Sequence, residues 1–513
     1  MQNKFIIMKI SILKGRILSM KLILRDNFYI YDIYHLVKAF FPDEKIEQNI
    51  QLGYKYFLSI QMPDGEEYVI SERDLTSIED RKEKKYFVGV KVYKYLCEYT
   101  GRSLAWGILT GIRPTKLPMK GLEDGWSDDK VVQYLTKRYL VQKEKAKLAL
   151  DTAKREQALL HGVDYSGGYS LYIGIPFCPT TCAYCSFTSY PIEIWKGRVG
   201  DYLNALLKEL ESIEEMVRDR RLNTIYIGGG TPTTLTANQL HRLLSHIEQV
   251  FCLDHLLEFT VEAGRPDSIT EEKLEVLKQH GISRISINPQ TMQQKTLNVI
   301  GRKHTVKDVL EAYQLARNLG FDNINMDLIV GLRGEELADV EDTLQLVAEL
   351  DPDSVTVHAL AIKRAAKMGQ KAHQEQSLQF CPEWGKKNSI LEHGKQLSKM
   401  IQMAEDYATK MDMEPYYLYR QKNIAGNLEN IGYAKAEHVC QYNILMMEEA
   451  QTILGLGVGA SSKFLIGESV HNPKDLKTYI DNYAEYAHRK LALLELSLKL
   501  DAKAFVYNGG LAE

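Results

Sequence analysis

Leu171-Tyr-Ile-Gly-Ile-Pro-Phe-Cys178-Pro-Thr-Thr-Cys182-Ala-Tyr-Cys185 is an apolar, β-rich run that stops at a proline and opens into a loop carrying three cysteines. The spacing is C-x3-C-x2-C, directly after a strand. Three thiolates on so short a loop can converge on three corners of one iron–sulfur cubane. The spacers let the loop wrap the cluster and aim backbone N–H groups at its sulfurs. Three protein ligands leave one iron open to a chelating small molecule. The alternatives are a zinc site or three buried thiols; structural zinc asks for four ligands and paired C-x2-C units, and the sequence offers no obvious fourth partner nearby.

Outward from this loop the chain alternates. After Leu171–Ile175, further β-rich runs lie at Thr224–Gly228, Leu257–Glu262, Ser283–Asn288, Asn323–Val330 and Ser354–Leu360, and segments of helical periodicity such as Tyr202–Met216 and Val306–Leu319 separate them. Strands alternating with helices imply right-handed βαβ units and a parallel sheet. Six units predict an α/β fold containing a partial (β/α)6 TIM-like barrel. Chemistry in such a barrel sits at the carboxyl ends of the strands, so functional residues are expected just after the apolar runs. The second run opens into Gly228-Gly-Gly-Thr231-Pro232, where glycines allow close backbone approach to a ligand.

Three domains are expected: residues 20–165, an N-terminal α+β accessory domain ending in a connector helix; 166–382, the barrel; and 383–513, a mainly helical C-terminal domain. In the first, Lys21–Arg25, Tyr54–Ser59, Tyr68–Ile70 and Lys84–Val92 read as strands, and Asp128–His161 as one helical segment. The 513 residues carry a formal net charge of −3, which gives no general attraction to nucleic acid or anionic membrane. No long apolar run predicts membrane insertion, and the first nineteen residues lack the marks of a signal peptide, with Met20 an alternative start to Met1. Seven cysteines are too few and too uneven for a disulfide framework, so the protein is expected in the cytoplasm. Cys97, Cys252, Cys381 and Cys440 read as small buried hydrophobes.

Tyr172-Ile-Gly-Ile-Pro-Phe-Cys178 with Cys182 and Cys185, followed by Gly228-Gly-Gly-Thr-Pro232, resembles the oxygen-independent coproporphyrinogen III oxidase (dehydrogenase) family of radical S-adenosylmethionine enzymes. The resemblance covers about residues 169–465. Gly107-Ile-Leu-Thr-Gly-Ile-Arg-Pro-Thr115 and Leu418-Tyr-Arg-Gln-Lys-Asn-Ile-Ala-Gly-Asn427 resemble signatures of its HemZ-like branch. It implies a [4Fe–4S] cluster on Cys178, Cys182 and Cys185, with S-adenosylmethionine on the open iron. By the same resemblance Gly229 and Gly230 meet the methionyl amino group, Thr231 belongs to the cofactor-binding set, and Glu262 contacts the bound cofactor. Gln290 and Asp327 hold the ribose hydroxyls, Arg302 pairs with the cofactor carboxylate, and Tyr172 stands close to cofactor and substrate as the catalytic candidate.

The activity so implied is radical oxidative decarboxylation of two propionates of a porphyrinogen to vinyls, giving protoporphyrinogen IX for haem biosynthesis. A reduced donor of flavodoxin or ferredoxin type would supply the electron. Arg265, Lys363 and Arg364 are candidates for meeting the substrate carboxylates. Two positions depart from the family pattern: Phe187 stands where a further cysteine is usual, and Gly174 where a histidine is usual. Relatives without that cysteine include haem chaperones, but their downstream His-Asn-x-x-Tyr-Trp corresponds here to Tyr442-Asn-Ile-Leu-Met-Met447, without the histidine or the tryptophan. A haem carrier and a radical enzyme on another substrate are the alternative readings.

Overall fold

The computed structural model describes residues 19–42, 44–163, 165, 167–360, 387–421 and 428–508. The chain divides into two compact units, Met1–Gly111 with Val132–Ala146, and Ile112–Val131 with Lys147–Glu513.

In the first unit, β1 (Met20–Leu24), β2 (Ile46–Ile50), β3 (Leu58–Gln61) and β4 (Glu67–Ile70) form a sheet in the order β2-β1-β3-β4. β1 and β2 are parallel, so their connection must cross over, and helix Ile30–Phe40 makes that crossing. The other pairs are antiparallel. The Lys84–Val92 run is not a strand. It lies inside helix Arg81–Thr100, where Val88, Val92 and Leu96 recur every fourth residue and pack with Leu22, Leu24 and Ile60. Local signals agree with the helix: Asp80 accepts from Glu83 N at 2.8 Å at its start, and Gly101, at φ 67°, ends it in the left-handed region. Helical spacing outweighed the β-branched content of the run.

The second unit is built on β5 (Tyr169–Ile175), β6 (Phe177–Cys178), β7 (Tyr190–Pro191), β8 (Leu222–Gly229), β9 (Glu258–Glu262), β10 (Arg284–Ser286), β11 (Ile324–Val330) and β12 (Ser354–Ala359). Apart from the small β6–β7 pair, these strands lie side by side in chain order, all parallel. Helices Val199–Val217, Ala237–Val250, Glu271–Gln279, Val306–Asn318 and Leu337–Leu350 make the crossovers. This is the α/β, open (β/α)6 arrangement expected from the alternation. Capping boxes start three of these five helices, as where Thr236 N donates to Gln239 at 3.0 Å and Gln239 N donates back to Thr236 at 3.3 Å.

The C-terminal stretch contains the expected helices, Lys387–Lys410, Gln441–Met447 and Leu476–Asn508. It also supplies β13 (Glu414–Tyr419), β14 (Asn430–Ala434), β15 (Thr452–Gly457), β16 (Ser461–Lys463) and β17 (Ser469–His471). β14 pairs antiparallel with β12 and β15 parallel with β5, so the sheet grows at both edges to eleven strands. Glu209, on the first crossover helix, holds this stretch down. It accepts from Gly457 N at 2.9 Å, Asn472 Nδ2 at 3.0 Å, Tyr479 Oη at 2.6 Å and Lys490 Nζ at 2.5 Å, with both side chains of the ion pair fully buried. Of the scattered cysteines, Cys440 is buried and Cys97 half-buried, while Cys252 is exposed, against expectation, at the end of a helix; Cys381 lies outside the described residues.

Candidate functional site

The cysteine loop leaves the sheet at Pro176 and is tied at both ends. β6 and β7 pair in parallel, and Tyr190 N donates to Pro176 O at 2.7 Å. Within it, Ala183 N donates to Ile300 O at 2.9 Å and Thr180 Oγ1 to Gly301 O at 3.1 Å, which pins the loop to the turn that carries Arg302. Cys182 is buried, and Cys178 and Cys185 are half-buried. Burial pushes the Cys178 thiol up to about 11, against the pull of Thr231, and burial raises Cys185 as well. Cys182 is the exception. Burial opposes its ionisation, but the guanidiniums of Arg302 and Arg265 overcome it and hold the thiol below its ordinary value. Among the described residues no group of three or more His, Cys, Asp or Glu side chains is already closed around a metal-ion position.

The glycine run at the end of β8 meets this loop. Gly230 N donates to Ile175 O at 2.8 Å and Thr231 N to Phe177 O at 2.7 Å, and Thr231 Oγ1 stands 3.5 Å from Cys178 Sγ. A Cβ on Gly230 would lie 2.6 Å from Phe177 O, and one on Gly228 would lie 2.9 Å from the Glu262 carboxyl carbon. Gly229 sits at φ 110°. The backbone is thus wedged between the cysteine loop and Glu262, and only glycine fits. Glu262, at the end of β9, accepts from Tyr226 Oη at 2.6 Å. Burial pushes its carboxyl up to about 7, against the hydrogen bonds from Tyr226 and Gly229 N, with Asp327 adding to the rise.

On the next strands, Gln290 takes φ 68°, a left-handed conformation rare outside glycine. Its backbone bridges β11: Gln290 N donates to Asp327 O and Ile329 N to Gln290 O, each at 2.9 Å. Asp327 is fixed further, its N–H on Asn288 Oδ1 at 3.2 Å and its carboxylate accepting from Asn325 Nδ2 at 2.8 Å. Arg302 donates to Asn288 O and stands beside Cys182 and Tyr184. Gln290 Oε1 and Arg302 Nε are buried with no protein partner among the described residues. A buried polar atom without a protein partner needs an explanation, and a bound ligand would supply one.

Three thiols beside two arginines, a glycine cradle that a Cβ would fill, a buried carboxyl and two orphaned polar atoms suit a thiolate-ligated cluster with a zwitterionic, ribose-bearing ligand. Cys178, Cys182, Cys185, Gly229, Gly230, Thr231, Glu262, Gln290 and Arg302 lie at the carboxyl ends of neighbouring strands and the loops that follow, while Asp327 lies midway along β11. Tyr172 lies lower, within β5, with its ring 6.1 Å from Tyr226 and 6.3 Å from Tyr442. Arg265 is not a free group for substrate. It is 2% exposed, with its guanidinium committed to Asp267, Thr180 and Cys182. Lys363 and Arg364 lie outside the described residues.

Sequence reasoning missed Tyr226, Tyr442, Asp267 and His304. Tyr226 was legible in principle, since it is the β8 residue in register with Tyr172. His358, at the end of β12, was missed too; its Nε2 is 3.9 Å from Asp327 and its Nδ1 3.4 Å from Tyr419 Oη.

Residues 172–347 match the radical SAM superfamily. The oxygen-independent coproporphyrinogen-III oxidase-like protein HemZ of Bacillus subtilis (strain 168) is 42% identical over 82% of this chain and 83% of its own length. The heme chaperone HemW of the same organism is 33% identical over 62% of this chain and 76% of its own. The solved structure of coproporphyrinogen III oxidase (HemN) from Escherichia coli superposes with a TM-score of 0.49 at 24% identity, covering 64% of this chain and 73% of that one. The chain therefore belongs to the oxygen-independent coproporphyrinogen-III oxidase-like family of radical SAM proteins, whose cofactors are a [4Fe–4S] cluster and S-adenosylmethionine.

Proposed function

We propose that the protein is an oxygen-independent coproporphyrinogen III dehydrogenase, converting two propionates of its substrate to vinyls, each with loss of one hydrogen atom, carbon dioxide and one electron that passes to an acceptor, and giving protoporphyrinogen IX. The observation that carries this reading is the 42% identity to a coproporphyrinogen-III oxidase-like protein over 82% of the chain. A bound cluster and S-adenosylmethionine would supply the one-electron radical chemistry at the substrate carbon.

The chain's own part is to hold, orient and exclude water. Cys178, Cys182 and Cys185 hold the cluster, and Thr231 keeps a hydroxyl 3.5 Å from Cys178 Sγ. Gly229, Gly230 and Glu262 meet the methionyl ammonium, for which a buried carboxylate is the natural counter-charge. Arg302 meets the methionyl carboxylate; its unpartnered Nε fits that role. Gln290 Oε1, also unpartnered, and Asp327 accept from the ribose hydroxyls. Tyr172, Tyr226 and Tyr442 form an aromatic layer beneath, with Tyr226 and Tyr442 ring centres 4.8 Å apart, which keeps water from the reacting atoms. A reduced flavodoxin- or ferredoxin-type protein serves as electron donor.

A second reading has its own support. The 33% identity to a heme chaperone, with Phe187 and Gly174 at the departing positions, favours a haem carrier. A Cβ on Gly174 would meet only ordinary contacts, 3.4 Å from Val458 O and 3.6 Å from Tyr172, so packing does not force the glycine. Two assays on the anaerobically reconstituted protein separate the readings. Protoporphyrinogen IX formed from coproporphyrinogen III supports the dehydrogenase. A stoichiometric Soret shift on haem titration, without turnover of coproporphyrinogen III, supports the carrier and overturns the proposal.

A further inference from the structure

Beneath the cysteine loop lies a buried polar chain that no role above uses. Arg265 is anchored through two parallel hydrogen bonds, Nε to Asp267 Oδ1 at 2.8 Å and NH2 to Asp267 Oδ2 at 2.6 Å. Its third nitrogen is thereby aimed at the loop. NH1 donates to Thr180 O at 3.1 Å and Thr180 Oγ1 at 3.0 Å, and reaches Cys182 Sγ at 3.8 Å. Behind Asp267, 3.8 Å from its Oδ1, is Nδ1 of His304, itself 1% exposed. A bidentate carboxylate fixes a guanidinium in plane and direction. Asp267 therefore decides where the Arg265 charge points, and it points at one thiol of the three.

We propose that Arg265 is a positioning and tuning residue of the cluster: held by Asp267, it keeps a fixed positive charge and an N–H donor on the Cys182 sulfur and so raises the cluster's reduction potential. The inference rests on the loop's cysteines ligating a cluster. Reduction adds one negative charge to a cluster bounded by thiolates. A cation fixed at one of those sulfurs, in surroundings that shield it poorly, favours the reduced form more than the oxidised form. Hydrogen bonds to cluster sulfurs act in the same direction. Arg265 pairs with Asp267, yet its NH1 lies on the side away from that carboxylate and toward the sulfur, so the local field at Cys182 stays positive.

The test is an electron-paramagnetic-resonance redox titration of the full-length, anaerobically reconstituted protein without S-adenosylmethionine, after iron and sulfide analysis. Wild type without a cluster would overturn the ligation reading itself, and with it the inference. With the cluster present, Arg265→Gln is expected to move the midpoint potential to more negative values by about tenfold in the reduced-to-oxidised ratio, which is about 59 mV for a one-electron couple. Arg265→Lys, which keeps the charge without the fork, should recover part of the shift. A cluster in Arg265→Gln that titrates with wild type overturns the proposal. Should Arg265→Gln lose its cluster, Arg265→Lys decides by the same criterion. Loss of the cluster from both variants in folded protein would mean that Arg265 builds the loop instead of tuning the cluster, which also overturns the proposal.

Discussion

Tyr226 donates its phenolic proton to Glu262 across 2.6 Å, from β8 to the end of β9, and the glycine cradle lies against the same carboxyl. Glu262 is pushed up to about 7 chiefly by burial, so at neutral pH it is poised between acid and carboxylate. An ammonium placed against it favours the ionised form and lowers that value. Cofactor affinity must then climb as pH rises toward about 7 and level off above it, with each pH unit below costing up to about tenfold. Equilibrium dialysis of S-adenosylmethionine against reconstituted protein across this range should show the rise, and Glu262→Gln should flatten it. A flat wild-type profile would remove Glu262 from the ammonium site.

Tyr226→Phe keeps the ring and deletes the donor. A hydrogen bond to a charged group contributes about 1.5–3 kcal/mol. The variant should bind S-adenosylmethionine at least about tenfold more weakly at neutral pH. Its pH profile should also shift upward, because the carboxylate has lost a partner that lowers its proton affinity. Weaker binding at an unshifted profile would mean that Tyr226 acts on packing alone.

Gly230→Ala should disturb the cysteine loop without touching a cysteine. The added Cβ would stand 2.6 Å from Phe177 O and 2.9 Å from the Pro176 carbonyl carbon, so backbone must move. Overpacking of this kind costs about 1–3 kcal/mol. Lower thermal stability and lower iron content are expected, while Gly197→Ala, with nothing within 4 Å of its Cβ, serves as the control.

Lys490→Met should be strongly destabilising. It strands Glu209 as a buried charge, at a cost of about 3–5 kcal/mol, even with its three neutral donors in place. Urea unfolding should show the loss, and Glu209→Gln combined with Lys490→Met should regain much of it. Equal stability of the single variant and wild type would show that the pair contributes nothing net.

The barrel was legible because its strands are buried on both faces and so read as apolar runs between amphipathic helices. The site was legible where chemistry demands a particular residue type at a strand end: cysteines after β5, glycines after β8, Glu262 after β9. The C-terminal strands were not, since runs of three to six residues such as Ser461–Lys463 and Ser469–His471 carry too little pattern and are defined by the edges they pair with. Lys84–Val92 was misread because Val88 and Val92 suit a strand by composition and a helix by spacing, and spacing decided. Arg265 was misassigned because a strand-end arginine looks available. Only the fold shows that Asp267, two residues on, turns it under the cysteine loop.

Reconstituted protein should be incubated anaerobically with S-adenosylmethionine, a low-potential reductant and coproporphyrinogen III, while 5′-deoxyadenosine, carbon dioxide and protoporphyrinogen IX are measured together. The dehydrogenase reading expects all three, with about one 5′-deoxyadenosine for each propionate lost, since each hydrogen abstraction consumes one radical. It also expects none of them when Cys178, Cys182 or Cys185 is replaced by alanine. Formation of 5′-deoxyadenosine with no carbon dioxide or porphyrinogen product would contradict it, leaving a radical-generating site whose substrate is something else.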